Sequence, residues 1–126
     1  MNHQPTIKPS KARTAAQGHF RTLRLGTPFQ PRIDALASLF VNTASVDYAA
    51  AASSAGSAEV GALLLREVAR IPATGFSTRQ YLHGAMESAG NTVHVLMGDE
   101  REVGLSQTLA RAGHDTILLT AFDIPE

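Results

Sequence analysis

The chain has no cysteine among its 126 residues. That excludes a disulfide framework, a thiolate metal site and a cysteine nucleophile. It fits a reducing compartment, and a cytoplasmic location is expected. Charge of one sign is not in excess either: Lys plus Arg and Asp plus Glu each number 11. A balanced chain has no global field to draw it to nucleic acid or an anionic membrane, and neither partner is expected. No apolar run approaches the roughly 18 residues needed to span a bilayer. No histidine pair has metal-ligand spacing, so no metal site is expected. The phosphate fingerprints GxGxxG and GxxxxGK[ST] are both missing, and no nucleotide, flavin or other cofactor is implied. No Ser–His–Asp order and no paired-carboxylate spacing stands out.

What remains is one domain, long enough to bury a core without a staple. Its charge balance hides an asymmetry. Before Asp34 stand Lys8, Lys11, Arg13, Arg21, Arg24 and Arg32, with no acid among them. The same stretch holds Pro5, Pro9, Pro28 and Pro31 and lacks the apolar centre of a secretory signal. Residues 1–31 therefore read as a basic, poorly ordered segment. An organelle-targeting segment or a phosphate-contacting arm are the alternatives.

From Arg32 the texture changes. Ile33, Leu36, Leu39 and Phe40 have helical spacing. Ser45–Ala49 reads as a short strand entering an alanine and serine run. Ser57–Arg70 is the clearest helix, with Ser57 as N-cap, Glu59 at the positive end of the dipole and Pro72 as the stop. Ala73–Ser77 is a short strand, and Thr78–Met86 holds a turn or short helix around His83–Gly84. Thr92–Met97 and Thr116–Ala121 are apolar, β-branched runs that read as buried strands. Arg101–Ala112 is an amphipathic helix ended by Gly113. Strands alternating with helices over short connections predict an α/β fold, a parallel sheet with helices on both faces. The expected domain is 32–121, with a tail at 122–126.

Three places could carry chemistry. On a helical wheel Val60, Leu63, Leu64, Glu67 and Val68 share one stripe, so Glu67 is expected on the face that packs inward. A buried carboxylate is costly unless paired or protonated, and desolvation would move it toward general-base duty. The plainer alternative is a glutamate at the edge of that face, bonded to an amide or an arginine. His83 beside Gly84 can approach a ligand closely, because glycine leaves space and permits unusual dihedrals. A surface loop histidine is the plainer alternative there. Ser53, Ser54, Gly56 and Ser57 lie between a strand and a helix N-terminus, where free amides and the dipole favour an anion. An ordinary capped loop is the alternative. His94 is expected on one sheet face and His114 just past a helix C-terminus; neither has a strong claim.

Taken together, residues 46–121 resemble the second isomerase lobe of glutamine:fructose-6-phosphate aminotransferase and related sugar isomerase (SIS) proteins. Gly61-Ala62-Leu63-Leu64-Leu65-Arg66-Glu67 matches that family's Gly-Ala-Leu-Lys-Leu-Lys-Glu helix without a gap. Leu82-His83-Gly84-Ala85 falls at its Lys-His-Gly-Pro turn. The resemblance implies a flavodoxin-like three-layer fold, truncated here to three or four strands. It implies that Glu67 moves a proton between C1 and C2 of a sugar, and that His83 helps open the ring and reaches a neighbouring subunit's site. Departures are clear. Ala50-Ala51-Ala52 replaces a Gly-Arg-Gly turn, Leu64 replaces a lysine, Gln80 and Leu82 replace a glutamate and a lysine, and Ala85 replaces a proline. The Ser-Gln-Ser-Gly-Glu-Thr phosphate loop of the family's first lobe is absent. The expected function is binding of a phosphorylated sugar or amino sugar by one lobe, with a homodimer or a second lobe as partner. The alternatives are part of an active isomerase or aminotransferase completed by a partner, and a non-functional fragment.

Overall fold

The structure is a computed structural model that describes residues 20–23, 30–88 and 90–121. Most of the basic segment 1–31, and the tail 122–126, lie outside the described residues. Five strands form one parallel sheet in the order β1-β5-β4-β2-β3. They are β1 (Phe20–Leu23), β2 (Ser45–Ala50), β3 (Ala73–Ser77), β4 (Thr92–Met97) and β5 (Asp115–Leu119). The helices are α1 (Gln30–Ala37), α2 (Ala55–Leu64), α3 (Thr78–Leu82) and α4 (Glu100–Arg111).

Period-two alternation splits the sheet into two faces. Val46, Val93, Val95 and Ile117 meet Leu36 of α1, Leu39 just after it and Ala62 of α2. Ala49, Leu96 and Leu118 point the other way, against Tyr81 of α3 and Leu109 of α4. The result is the expected α/β arrangement of three layers. The expectation of three or four strands needs correction. A fifth strand comes from Phe20–Leu23, inside the segment read as a poorly ordered tail, and it pairs in register with Thr116–Leu119 of β5. Four residues of FRTL carry too little pattern to declare themselves. A neighbour for β5 covers what would otherwise be an open apolar edge.

The chain leaves β2 outward to β3, then crosses back over β2 to β4 and continues to β5. The direction of winding therefore reverses between β2 and β4. In open α/β sheets, ligands bind beyond the carboxyl ends of the strands at such a reversal.

Candidate functional site

Two loops meet at that reversal. After β2 the chain makes a tight turn over Ala52–Ser54 and enters α2 at Ala55. The Ala51 amide donates to the Met97 carbonyl at 3.1 Å, which ties the end of β2 to the end of β4. Ala51 has φ −55° and ψ 155°, a path alanine follows without strain. Ser53, Gly56 and Ser57 are exposed, and Ser54 is half-buried. The structure thus gathers all four of these residues at the start of α2. The N-cap assignment needs correction: α2 begins two residues earlier than expected, so Ser57 lies inside its first turn, and Ser54 caps without a side-chain bond.

On the β4 side, Gly98 has φ 155°, and a Cβ there would collide with the Glu102 carboxylate. Glycine lets that buried carboxylate tuck under the turn, where Oε1 accepts from the Asp99 amide at 3.2 Å and Oε2 from Arg101 Nε at 3.1 Å. This holds the N-terminus of α4 at the turn that follows β4.

Glu67 is somewhere else. It sits in a π-helical turn, Leu65–Ala69, that continues α2. At 1.5 Å per residue it lies roughly 20 Å along the helix from Ser54. It is exposed, which overturns the expectation that it packs inward. The whole stripe is reversed: Val60 is 56% exposed, Leu63 42%, Leu64 54% and Val68 79%. The face on the sheet is made of small residues, with Ala58 and Ala62 fully buried. A Cβ on Gly61 would lie 2.8 Å from the Tyr48 ring, and one on Gly75 of β3 2.7 Å from Glu59 Cα. α2 therefore approaches β2 and β3 too closely for leucines to fit between. Arg66 reaches back to the sheet, where Nη1 donates to the Ala73 carbonyl at 2.6 Å.

His83 and Gly84 end α3. Ser77 starts that helix with a capping box: its Oγ accepts from the Gln80 amide at 3.2 Å, and Gln80 Oε1 accepts from the Ser77 amide at 3.4 Å. The His83 amide donates to the Gln80 carbonyl at 3.1 Å, and Gly84 turns with φ 142°, a value that favours glycine. His83 is exposed. α3 lies on the opposite face of the sheet from α2. The structure therefore brings Ser53, Ser54, Gly56 and Ser57 together, and brings neither Glu67 nor His83 to them.

The sequence reading passed over a buried polar group on the α3 side. Asp47 of β2, His94 of β4 and Thr116 of β5 stand side by side in the sheet. The Tyr81 hydroxyl is hydrogen-bonded to His94 Nδ1, and His114 meets the His94 ring edge-on at 5.1 Å. Burial pushes the Asp47 carboxyl up. It pushes the Tyr81 phenol up too, with the Asp47 charge adding to it. Burial also pulls His94 from 6.5 down to about 4; His114 adds to this and Asp115 opposes it. The signal was available: Asp47 and His94 break the apolar alternation of SVDYAA and TVHVLM at adjacent places.

The fold and the loops at its winding reversal define an α/β protein of the open parallel-sheet class. No family model and no curated protein matches the chain. Among solved structures it resembles the crystal structure of a putative sugar binding protein from Salmonella typhimurium LT2, with a TM-score of 0.63 at 20% identity. The match covers 75% of this chain and 30% of that one. A likeness at this identity shows the fold.

Proposed function

We propose that the chain is a single lobe of the sugar isomerase type, binding a phosphorylated sugar or amino sugar in carbohydrate-derivative metabolism. A second lobe or second copy of the chain completes its site. The observation that carries the reading is the exposed apolar band of Val60, Leu63, Leu64 and Val68 with Glu67 inside it. Singly exposed apolar residues are ordinary, but a continuous band on one helix marks a surface that something covers. Glu67 lies in a π-turn, a feature frequent at functional sites. Covering the band would place this carboxylate between apolar surfaces, the setting a general base needs.

The phosphate falls to Ser53, Ser54, Gly56 and Ser57, where α2 begins and its dipole favours an anion. Glu67 is the proton carrier, His83 the ring-opening group and Gly84 the residue that lets it approach. A two-fold pairing of antiparallel α2 helices would set Glu67 of one lobe near the serine loop of the other, which fits the separation of these residues within one chain. The likeness to a protein described as sugar binding supports the sugar. The phosphate and the isomerase type rest on the sequence resemblance. Ala50-Ala51-Ala52 in place of Gly-Arg-Gly argues against turnover by this chain alone.

The test is an amide NMR titration with fructose 6-phosphate and glucosamine 6-phosphate, alongside sedimentation. Shifts near Ser53–Ser57, Glu67 and His83, together with a dimer that Leu64→Glu dissociates, are expected. A well-dispersed spectrum that neither sugar moves would retire the reading. Isomerase turnover by the chain alone, abolished in Glu67→Gln, would favour the alternative of an active enzyme part.

A further inference from the structure

α3 has five residues, far too few to persist on helix propensity alone. Besides its capping box, what holds it is Tyr81. That side chain is fully buried, with its ring centroid 6.0 Å from that of Phe76 and 5.8 Å from that of His94. Among the described residues, its hydroxyl makes the one polar bond between α3 and the central strands, to Nδ1 of His94. His94 is itself fully buried, and its other ring nitrogen, Nε2, is buried without a hydrogen-bond partner. Thr78 Oγ1, at the start of α3, is also buried and unpaired. The helix therefore docks through aromatic packing and one titratable acceptor. His83 and Gly84 follow Tyr81 by two and three residues.

We propose that the Tyr81–His94 pair is a pH-sensitive latch: neutral His94 holds α3 and the His83–Gly84 turn against the sheet, and protonation of His94 releases them.

The latch takes the tyrosine hydroxyl as donor: in the latched state Nδ1 accepts from Tyr81, and the neutral ring carries its proton on Nε2. A second proton turns Nδ1 into a donor, and the tyrosine must reverse its bond to receive it. It also places a cation in the interior. The groups around it are Asp47 from β2, Tyr81 from α3, and His114 and Asp115 at the start of β5. From α4, Ser106 and Leu109 are buried, while Arg111 is exposed. Asp115 favours the cation and His114 opposes it. Burial prevails, holding His94 neutral down to about pH 4 against 6.5 when free. His94 cannot reach water by leaving β4, which is paired on both sides. α3 is the cheaper element to move. The latch does not depend on the sugar-phosphate reading, and it stands or falls separately.

The test is amide hydrogen exchange on the full chain between pH 7.5 and 4.5, following Gln80 and His83 of the α3 region and Val95, Leu96 and Leu118 of the sheet. Release takes up one proton, so protection in the α3 region should fall about tenfold per pH unit below about 6.5, starting well below that of the sheet amides, which exchange only on global unfolding. His94→Gln retains an acceptor for Tyr81 but cannot titrate, so the pH slope should vanish. If that variant does not fold, Tyr81→Phe keeps the ring and removes the bond; it should lower protection in α3 alone at pH 7.5. The proposal is overturned if α3 is as well protected as the sheet at every pH and so opens only with it, if the slope survives in His94→Gln, or if Tyr81→Phe leaves α3 unchanged.

Discussion

Replacing Gly75 by alanine should push α2 off the sheet. Gly75 lies in β3 under the first turns of α2, and an added Cβ would sit 2.7 Å from Glu59 Cα and 2.8 Å from the carbonyl carbon and oxygen of Ala58. These are backbone atoms, so no rotamer change relieves the contact. The helix must retreat by roughly half an ångström, which loosens the packing of Ala58 and Ala62; such overpacking costs about 1–3 kcal/mol. Alanine recovers part of this, about 0.5–1 kcal/mol, by losing less backbone freedom on folding. The net loss is about 1–2 kcal/mol, or roughly 5–10 °C in Tm for a domain of this size. Gly104 supplies the opposite case. It lies in the middle of α4, exposed, with nothing within 4 Å of an added Cβ. Gly104→Ala should therefore stabilise by about 1 kcal/mol. Urea unfolding followed by circular dichroism measures both. If Gly75→Ala is as stable as the parent, or if both substitutions move stability the same way, the close approach of α2 and β3 is wrong.

The other expectations concern charge. Both tyrosines, Tyr48 and Tyr81, have phenols pushed up by burial. Unfolded, they would ionise near about pH 10. The stability that comes from keeping them neutral is full below that pH and is lost as pH climbs above it. Ultraviolet titration should show the native tyrosinate step displaced above that of the protein in urea; coincident steps would contradict the raised phenols. Glu102→Ala should destabilise by about 1 kcal/mol, because the part-buried Asp99 amide loses its acceptor. Unchanged stability in the same urea assay would remove Glu102 as the support of the α4 N-terminus.

The elements that the sequence revealed best are those whose local pattern and tertiary role agree. Ala73–Ser77 and Thr92–Met97 are strands with the boundaries expected of them. The latter is β-branched and apolar because both of its faces are covered, and five of its six residues are buried. α4 shifts by one residue; Leu109 is buried as its amphipathic pattern predicts, with Glu102 and Ser106 buried as well. Phe20–Leu23 was not legible, because what makes it a strand is the apolar neighbour β5, nearly a hundred residues further on. Of the candidate site, the cluster Ser53–Ser57 was legible as a loop between strand and helix. The Tyr81–His94 contact was not, because it joins two elements whose separate patterns say nothing of each other.

α2 shows why hydrophobic periodicity can find a helix and still misplace its buried side. The period of Val60, Leu63, Leu64 and Val68 is real, and it identifies a face that avoids water. It does not say which apolar surface that face meets. The sheet takes the other side, where Ala58, Gly61 and Ala62 allow the backbones to approach more closely than any leucine would permit. A helix that buries alanines and leaves its larger apolar residues exposed has two packing surfaces, one filled within the chain and one open. Glu67 lies on the open one. That places the question of its chemistry outside the single chain, where the carboxylate is exposed. Only when the band is covered does its position become chemically distinct. The separation of Ser53, Glu67 and His83 follows the same logic. Residues at the two ends of one helix and on the far side of a sheet can serve a common reaction only if a second lobe supplies what this one holds too far away.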